Sequence, residues 1–583
     1  MTGNLLHAGR RFRCAILLTT LALSGLSEPG FSQGTPTAAP APSSGRLVTA
    51  PHGMVVSASS IASEVGRDVL IAGGNAVDAA IATGFALAVT YPVAGNIGGG
   101  GFMVIRFPDG RATTIDFREM APGAANPGMF TDSAGVYSAQ VHHESHKAVG
   151  VPGTVAGFAF AHSKYGKTPW NRLVDPAVRL ATDGFVVPPG LARSLSGALN
   201  YFKPYPASVA AYSKSGQPYV AGEKIRQQDL GRTLTRIRDS GRDGFYRGET
   251  ARLVAEEMRR GGGLITEDDL ARYEAKERAP IRGTYRGYEI ISMPPPSSGG
   301  VALVEMLNIL EGYDLAAAGQ TSPRYVHLVA EAMRRAFLDR ARFLGDPDFV
   351  QPPVAHLTDK AYATELRRSI QPDRASPSSP AQITERAESE QTTHYSVVDA
   401  SGTAVSVTYT LENGYGLGAV VAGAGFLLNN EMGDFNGKPG LTDSTGLIGT
   451  DANLAKPGKR MLSSMTPTIV ARNGQLFAVT GSPGGRTIIN TVLEVILNQV
   501  DFGMSIEQAV AARRFHHQWL PDRLSAEANA FPPETVAALE AMGYRVGMRG
   551  GQGTAHSIRI DPRTGMRQGA PDPRDPDAGA AGH

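Results

Sequence analysis

The sequence predicts an α/β (α+β) protein in which helices and antiparallel hairpins share one fold. Three observations predict it. An alanine-rich apolar run precedes a short strand near residue 105, and residues 160–345 carry charges at helical spacing. Two segments, 392–410 and 468–479, alternate with period two around turn residues.

Within residues 57–105, Gly73-Gly74-Asn75-Ala76-Val77-Asp78-Ala79-Ala80 leads into an apolar run of about 16 residues broken by glycine and threonine, which suits a buried helix better than a membrane span. The cluster Gly98-Gly99-Gly100-Gly101 follows that helix and enters a strand at 102–107. A dinucleotide-binding loop has the opposite order, strand then helix, so close backbone packing or a tight bend is expected instead. In 160–345, residues 325–344 form the clearest amphipathic helix, with its charges expected on a solvated face. Residues 373–391 are rich in Pro, Ser and Glu, lack aromatics and read as an exposed, disordered linker. Strand alternation begins at once after them: 392–399, a Ser401-Gly402 turn, then 404–410. The second hairpin turns at Asn473-Gly474 and ends at Gly481-Ser482-Pro483-Gly484-Gly485, and a helix is expected over 487–499.

Composition narrows the function. Arg10, Arg11 and Arg13 precede a 13-residue apolar stretch, 14–26, which fits a signal peptide over 1–33 and a periplasmic or secreted protein; the Arg pair hints at twin-arginine export. Without that segment the 56 basic and 54 acidic residues become 53 of each, and a near-neutral chain argues against nucleic-acid binding. Cys14, the one cysteine, leaves too, so a mature chain has no disulfide and no thiol nucleophile. Glycine, 69 of 583 residues, implies many tight turns and close backbone approaches. His516-His517 suggests a metal, yet neighbours on an extended segment point to opposite sides. No catalytic metal and no organic cofactor are expected.

A linker running straight into a threonine-initiated strand is what a cut at Gln391–Thr392 would require. An N-terminal threonine brings its own base, because its α-amino group titrates near pH 8 and can take the hydroxyl proton. By spacing alone, Thr392 remains an ordinary strand residue. The string Gln391-Thr392-Thr393-His394-Tyr395-Ser396-Val397-Val398-Asp399, however, closely resembles the self-cleaving junction of the gamma-glutamyltranspeptidase family. Further matches follow in the family's order: Asn429 to Phe435, Lys459 to Pro467, Gly481 to Gly485 and Arg514 to Trp519, with 116–122 and 296–300 upstream. The resemblance spans roughly residues 46 to 575.

It implies a four-layer αββα sandwich of the N-terminal nucleophile hydrolase type, made as a precursor. The precursor would cleave itself into a large subunit, 34–391, and a small subunit, 392–583, that stay intertwined as one domain. The implied activity is gamma-glutamyl transfer and glutathione hydrolysis, with amino acids, peptides or water as acceptors. Thr392 would be the nucleophile, Thr410 its hydroxyl partner, and Gly484 and Gly485 the oxyanion hole. Arg118 would pair the substrate α-carboxylate with help from Ser463 and Ser464, while Glu431 and Asp434 would hold the α-ammonium. Glu412 stands where an asparagine often contacts that ammonium, and a carboxylate suits it equally well. Thr445 stands where several members carry a lid tyrosine, in a lid over 437–459. A more open pocket with a larger share of hydrolysis is therefore expected. Two rivals remain open at this point: a glutaryl or cephalosporin acylase of the same superfamily, and an uncleaved periplasmic binding protein.

Overall fold

Two seven-stranded sheets carry the fold in this computed structural model, which describes residues 46–382, 392–440, 442–445 and 448–583. Residues 1–33 and residues 383–391 of the expected linker, Gln391 included, lie outside the described residues. The described chain from Arg46 onward belongs to one compact unit.

One sheet runs Gly579–Gly582, Met54–Ser57, Thr393–Val398, Ala404–Thr410, Gly100–Arg106, Ala112–Phe117 and Lys276–Arg278. The other runs Val48–Ala50, Arg567–Ala570, Ser557–Ile560, Gln475–Thr480, Thr468–Arg472, Tyr288–Ser292 and Ile281–Tyr285. Neighbouring strands are antiparallel throughout both sheets.

The side-chain period of two explains the layering. In the first sheet Met103, Ile105, Tyr395, Val397, Val405, Val407 and Tyr409 face outward onto helices such as Ala76–Thr90. Their neighbours Phe102, Val104, Val398 and Ala404 face inward and meet Ile291, Ile469, Val479 and Ile558 of the second sheet. The second sheet's outer face, with Ile290, Val470 and Ala478, packs under the helices Gly299–Leu310, Pro323–Phe343 and Thr487–Val500. The result is helix, sheet, sheet, helix, as expected. Both hairpins form at the expected turns.

Helix Ala76–Thr90 is buried along its whole length, and Asn75 and Asp78 close its first turn in a capping box. Ala76 N donates to Asp399 Oδ2 at 3.0 Å, which ties the helix to the turn of the 392–410 hairpin. The glycine cluster is a packing device: a Cβ on Gly99 would stand 1.9 Å from the Thr410 carbonyl oxygen, and one on Gly101 2.4 Å from that of Thr408.

Two expectations need correction. Helix Pro323–Phe343 does not present its charges to solvent: Glu331, Arg334, Asp339 and Arg340 are all buried, because helices Gly299–Leu310 and Pro533–Ala541 and the 371–382 segment pack against it. Residues 373–382 are not disordered. Ala375 N donates to Met542 O, Ser376 N to Glu331, Ser378 N to Asp522, and Trp519 Nε1 to Gln382 Oε1, so polar groups hold a segment that has no apolar periodicity.

The glycine geometry separates two alanine substitutions by sign. Gly99→Ala should cost about 1–3 kcal/mol or more by overpacking. Gly197→Ala, in an open helical position with nothing within 4 Å, should gain about 0.5–1 kcal/mol. Thermal or denaturant unfolding of the two variants beside the parent checks both signs.

Candidate active site

The register of the central hairpin locates the site. Thr393 pairs with Tyr409, so one step further Thr392 lies beside Thr410 at the strand ends. Parity turns both hydroxyl-bearing residues inward, toward the second sheet, because Tyr409 faces the helices. Thr392 is 7% exposed and Thr410 1%. Thr410 Oγ1 accepts from Glu412 N at 2.8 Å, and its carbonyl accepts from Asn96 Nδ2 at 2.8 Å.

The second sheet supplies the facing wall. Ser463 and Ser464 precede its strand Thr468–Arg472, and the 481–485 turn follows its strand Gln475–Thr480. Ser463 is bridged to Ser297: Ser463 N donates to Pro296 O at 2.9 Å and Ser298 N to Ser463 O at 2.7 Å. Gly484 (φ 127°) and Gly485 (φ 54°) take backbone angles that favour glycine, and helix Thr487–Val500 starts immediately after them. Thr487 Oγ1 donates to Gly484 O at 2.8 Å, fixing the turn against the helix N-terminus. A helix N-terminus and glycine N–H groups together suit a developing negative charge.

Arg118 follows strand Ala112–Phe117 and is fully buried. Its Nη1 donates to Glu431 and its Nη2 to Asp434, both on the short 3-10 turn Glu431–Asp434, and Glu119 Oε2 lies 3.5 Å away. Without context Arg118-Glu119 has the look of a surface ion pair; here neither residue is exposed. Burial raises the Glu431 carboxyl above the ordinary range although Arg118 opposes it. Burial likewise pushes Glu119 up to about 8, again against the pull of Arg118. Glu412, 2% exposed and at φ 76°, completes the acidic side. Such a φ is unusual for a side chain this large, and strain of that kind concentrates at functional sites.

One small cavity brings Thr392, Thr410, Arg118, Glu412, Glu431 and Asp434 together with Ser463, Ser464 and Gly485. Gly484 sits beside the wall in the same turn; Met465 and Ile488 also line the cavity, though their motifs gave no sign of it. Asn429 escaped sequence reasoning too. Its side chain donates to Gly98 O and Gly150 O and accepts from Glu431 N, so it orients the acidic turn. His516 and His517 are elsewhere, with neutral rings that burial holds near pKa 3 and 4, bonded to Asn490 and Gln518 and to Asp522. Among the described residues no group of three or more His, Cys, Asp or Glu is placed to hold a metal ion.

A strand-head threonine, a glycine turn ahead of a helix N-terminus and a mixed-charge pocket suit an amide-cleaving enzyme of the N-terminal nucleophile type. Comparison with known proteins gives the family. The Gamma-glutamyltranspeptidase family model matches residues 62–582. The "Glutathione hydrolase proenzyme" of Escherichia coli (strain K12) is 49% identical over 539 residues, 92% of this chain and 93% of that protein. The crystal structure of Helicobacter pylori gamma-glutamyltranspeptidase is 46% identical with a TM-score of 0.54, covering 54% of this chain and 91% of that one. The structure of a cephalosporin acylase from Bacillus halodurans superposes with a TM-score of 0.81 at 27% identity, covering 95% and 99% of the two chains. This chain belongs to the gamma-glutamyltranspeptidase family and is an enzyme of it.

The Arg118 cluster makes a pH-dependent prediction. In Arg118→Met, Glu119, Glu431 and Asp434 lose their shared cation, which should cost about 3–5 kcal/mol near pH 8. Carboxyls raised in the folded state bind protons that the unfolded chain does not, so stability must recover as pH falls. The recovery should set in as pH falls through about 8 and continue down to the ordinary carboxyl range near about pH 4.3, and be much steeper than in the parent. Unfolding midpoints across that range check it.

Proposed function

We propose that this enzyme is a gamma-glutamyltransferase with glutathione hydrolase activity, matured by its own cut at Gln391–Thr392. The observation that carries the reading is the single cavity that gathers a strand-head threonine, a guanidinium, four carboxylates' worth of acidic wall including Glu119 behind it, and two serines. A γ-glutamyl group ends in both a carboxylate and an ammonium, and needs both signs of charge within one pocket. Arg118, Ser463 and Ser464 would receive the carboxylate; Asp434, Glu431 and Glu412 would receive the ammonium. A bound zwitterion would exchange its charges with the Arg118–Glu431 and Arg118–Asp434 pairs, so its burial need not leave a protein charge unpaired.

The chemistry follows from the placement. The freed α-amino group of Thr392 takes the Oγ proton as Oγ attacks the γ-carbonyl carbon. The N–H groups of Gly484 and Gly485 stabilise the oxyanion, and the protonated amine passes its proton to the leaving nitrogen. The γ-glutamyl ester on Thr392 is then opened by water or by the amine of an amino acid or peptide. Thr410 steadies the nucleophile from the neighbouring strand. In maturation the same Oγ would attack the Gln391 carbonyl, the acyl group would pass from the Thr392 nitrogen to its oxygen, and water would then open that ester to give subunits 34–391 and 392–583.

The acylase reading has the shared fold in its favour, but a glutaryl group lacks the ammonium that so acidic a wall suits, and identity is 49% to the Escherichia coli glutathione hydrolase proenzyme against 40% to an acylase proenzyme of Pseudomonas sp. (strain V22). Higher activity on glutaryl than on γ-glutamyl amides would reverse the choice. An uncleaved binding protein would have no use for a strand-head nucleophile facing an oxyanion turn. Residues 1–33 are proposed as an export signal to the periplasm or beyond; among the described residues no helix is long and apolar enough to cross a membrane.

Intact mass and N-terminal sequencing test the maturation step: the parent should give two chains, the smaller beginning Thr-Thr-His-Tyr, and Thr392→Ala one. Activity of Thr392→Ala should fall more than about a thousand-fold. In the parent, kcat/KM should decline below about pH 8 as the α-amino group protonates. Thr445 is exposed and bonded to Asp443. Thr445→Tyr should raise the ratio of transfer to hydrolysis, read from product ratios with a dipeptide acceptor; an unchanged ratio removes the open-lid account.

A further inference from the structure

The cavity's charges do not balance in favour of a carboxylate. Arg118 is the cation among its lining residues, and it already contacts Glu431 and Asp434, with Glu119 close behind and Glu412 on the same wall. An incoming carboxylate needs a further source of positive charge or a strong hydrogen-bond donor.

The structure supplies one from outside the lining shell. Arg340, on helix Pro323–Phe343, is 3% exposed and reaches the back of the Ser463-Ser464 turn. Its Nη2 donates to Ser464 Oγ at 3.2 Å and its Nε to Ser298 Oγ at 2.8 Å. Ser298 Oγ in turn donates to Ser463 O at 2.6 Å. One buried guanidinium therefore holds both serines, one through its hydroxyl and one through its backbone. A hydroxyl oxygen that accepts from a guanidinium is polarised as a donor.

We propose that Arg340 is a positioning residue for the γ-glutamyl donor: it acts through Ser464, orienting and polarising that hydroxyl as a donor for the substrate α-carboxylate. This rests on the reading above that Ser463 and Ser464 receive the carboxylate. Arg340 does not line the cavity, so it touches no substrate and its effect must pass through the serines.

A double-mutant cycle on the full-length, matured enzyme tests it, with a chromogenic γ-glutamyl anilide as substrate. Arg340→Met and Arg340→Gln should each raise KM about ten-fold while kcat stays within about three-fold, because the ester-forming atoms are untouched. Arg340→Lys, which keeps the charge and one donor, should recover part of the loss. In a Ser464→Ala background Arg340→Met should add less than about two-fold, the non-additivity expected of residues acting through one contact. An equal KM factor in both backgrounds overturns the proposal, as does a fall in kcat at constant KM or a lysine variant no better than methionine. If all three Arg340 variants fail to mature, the residue is a folding determinant and the proposal is wrong. Matured Ser464→Ala with a parental KM would sink the carboxylate reading itself. A Ser464 effect without Arg340 coupling would sink the Arg340 inference alone.

Discussion

The register Thr393 to Tyr409 in the central hairpin is the constraint on which the site depends, because a slip of one residue would turn Thr392 to the helix side. Several features fix that register. Tyr395, Val397, Val405, Val407 and Tyr409 bury on one side, so the alternative register would drive polar residues into the helical layer. The neighbouring strand Gly100–Arg106 pairs Thr410 with Gly100, and glycines at its entrance let the chain approach the Thr410 carbonyl more closely than any side chain permits. On the inner side, Ser406 Oγ donates to Thr480 O and accepts from Thr468 N, locking this sheet to the one that carries the serines and the glycine turn. Thr392, the proposed nucleophile, and its facing wall are thus held by the same sheet-to-sheet contact.

The second requirement is electrostatic, and it works against stability. Burying Arg118 with three carboxylates is unfavourable unless each is hydrogen-bonded or shares a proton. The fold meets this in layers. Asp116, itself buried, accepts from Arg118 N and is held by Arg278 and Arg460. Tyr273 donates to Arg118 O. Asn429 holds Glu431's backbone from the other side. Arg118 is therefore held in one place where a freely solvated arginine would be more stable, which suits the proposal that it meets a substrate carboxylate in one geometry. Arg340 belongs to the same logic, one shell further out.

Much of this was legible in the chain. The mixed architecture came from periodicity, and hairpin turns came from Ser401-Gly402 and Asn473-Gly474. The glycine cluster was rightly separated from a phosphate loop by the order of its flanking elements. The layer order and the grouping of Arg118, Asp434 and Ser463 were legible through resemblance, since Arg118 lies 316 residues before Asp434 and no local pattern brings the three together. What stayed hidden was set by tertiary burial. The charges of Pro323–Phe343 obey amphipathic spacing, yet another segment covers them, and spacing cannot reveal what lies on top of a helix. Residues 373–382 have a disordered composition, but Glu331 and Asp522, distant in sequence, bind their backbone.

A cut between 391 and 392 would fall on a fold already prepared to survive it. Each sheet draws strands from both sides of that bond. In one, Thr393–Val398 pairs with Met54–Ser57 and Ala404–Thr410 with Gly100–Arg106; in the other, Thr468–Arg472 pairs with Tyr288–Ser292 and Val48–Ala50 with Arg567–Ala570. Separating the two pieces would mean opening both sheets and the apolar layer between them, so cleavage would loosen a connection without releasing a subunit. The 373–382 segment adds clasps near the proposed end of the first piece, because Met542, Asp522 and Trp519, its partners, all belong to the second. Nine residues, 383–391, stand between Gln382 and Thr392, ten steps that can span at most about 36 Å. Cleavage within so short a tether frees an amino group at the strand head while leaving the walls of the cavity where the uncut chain had placed them.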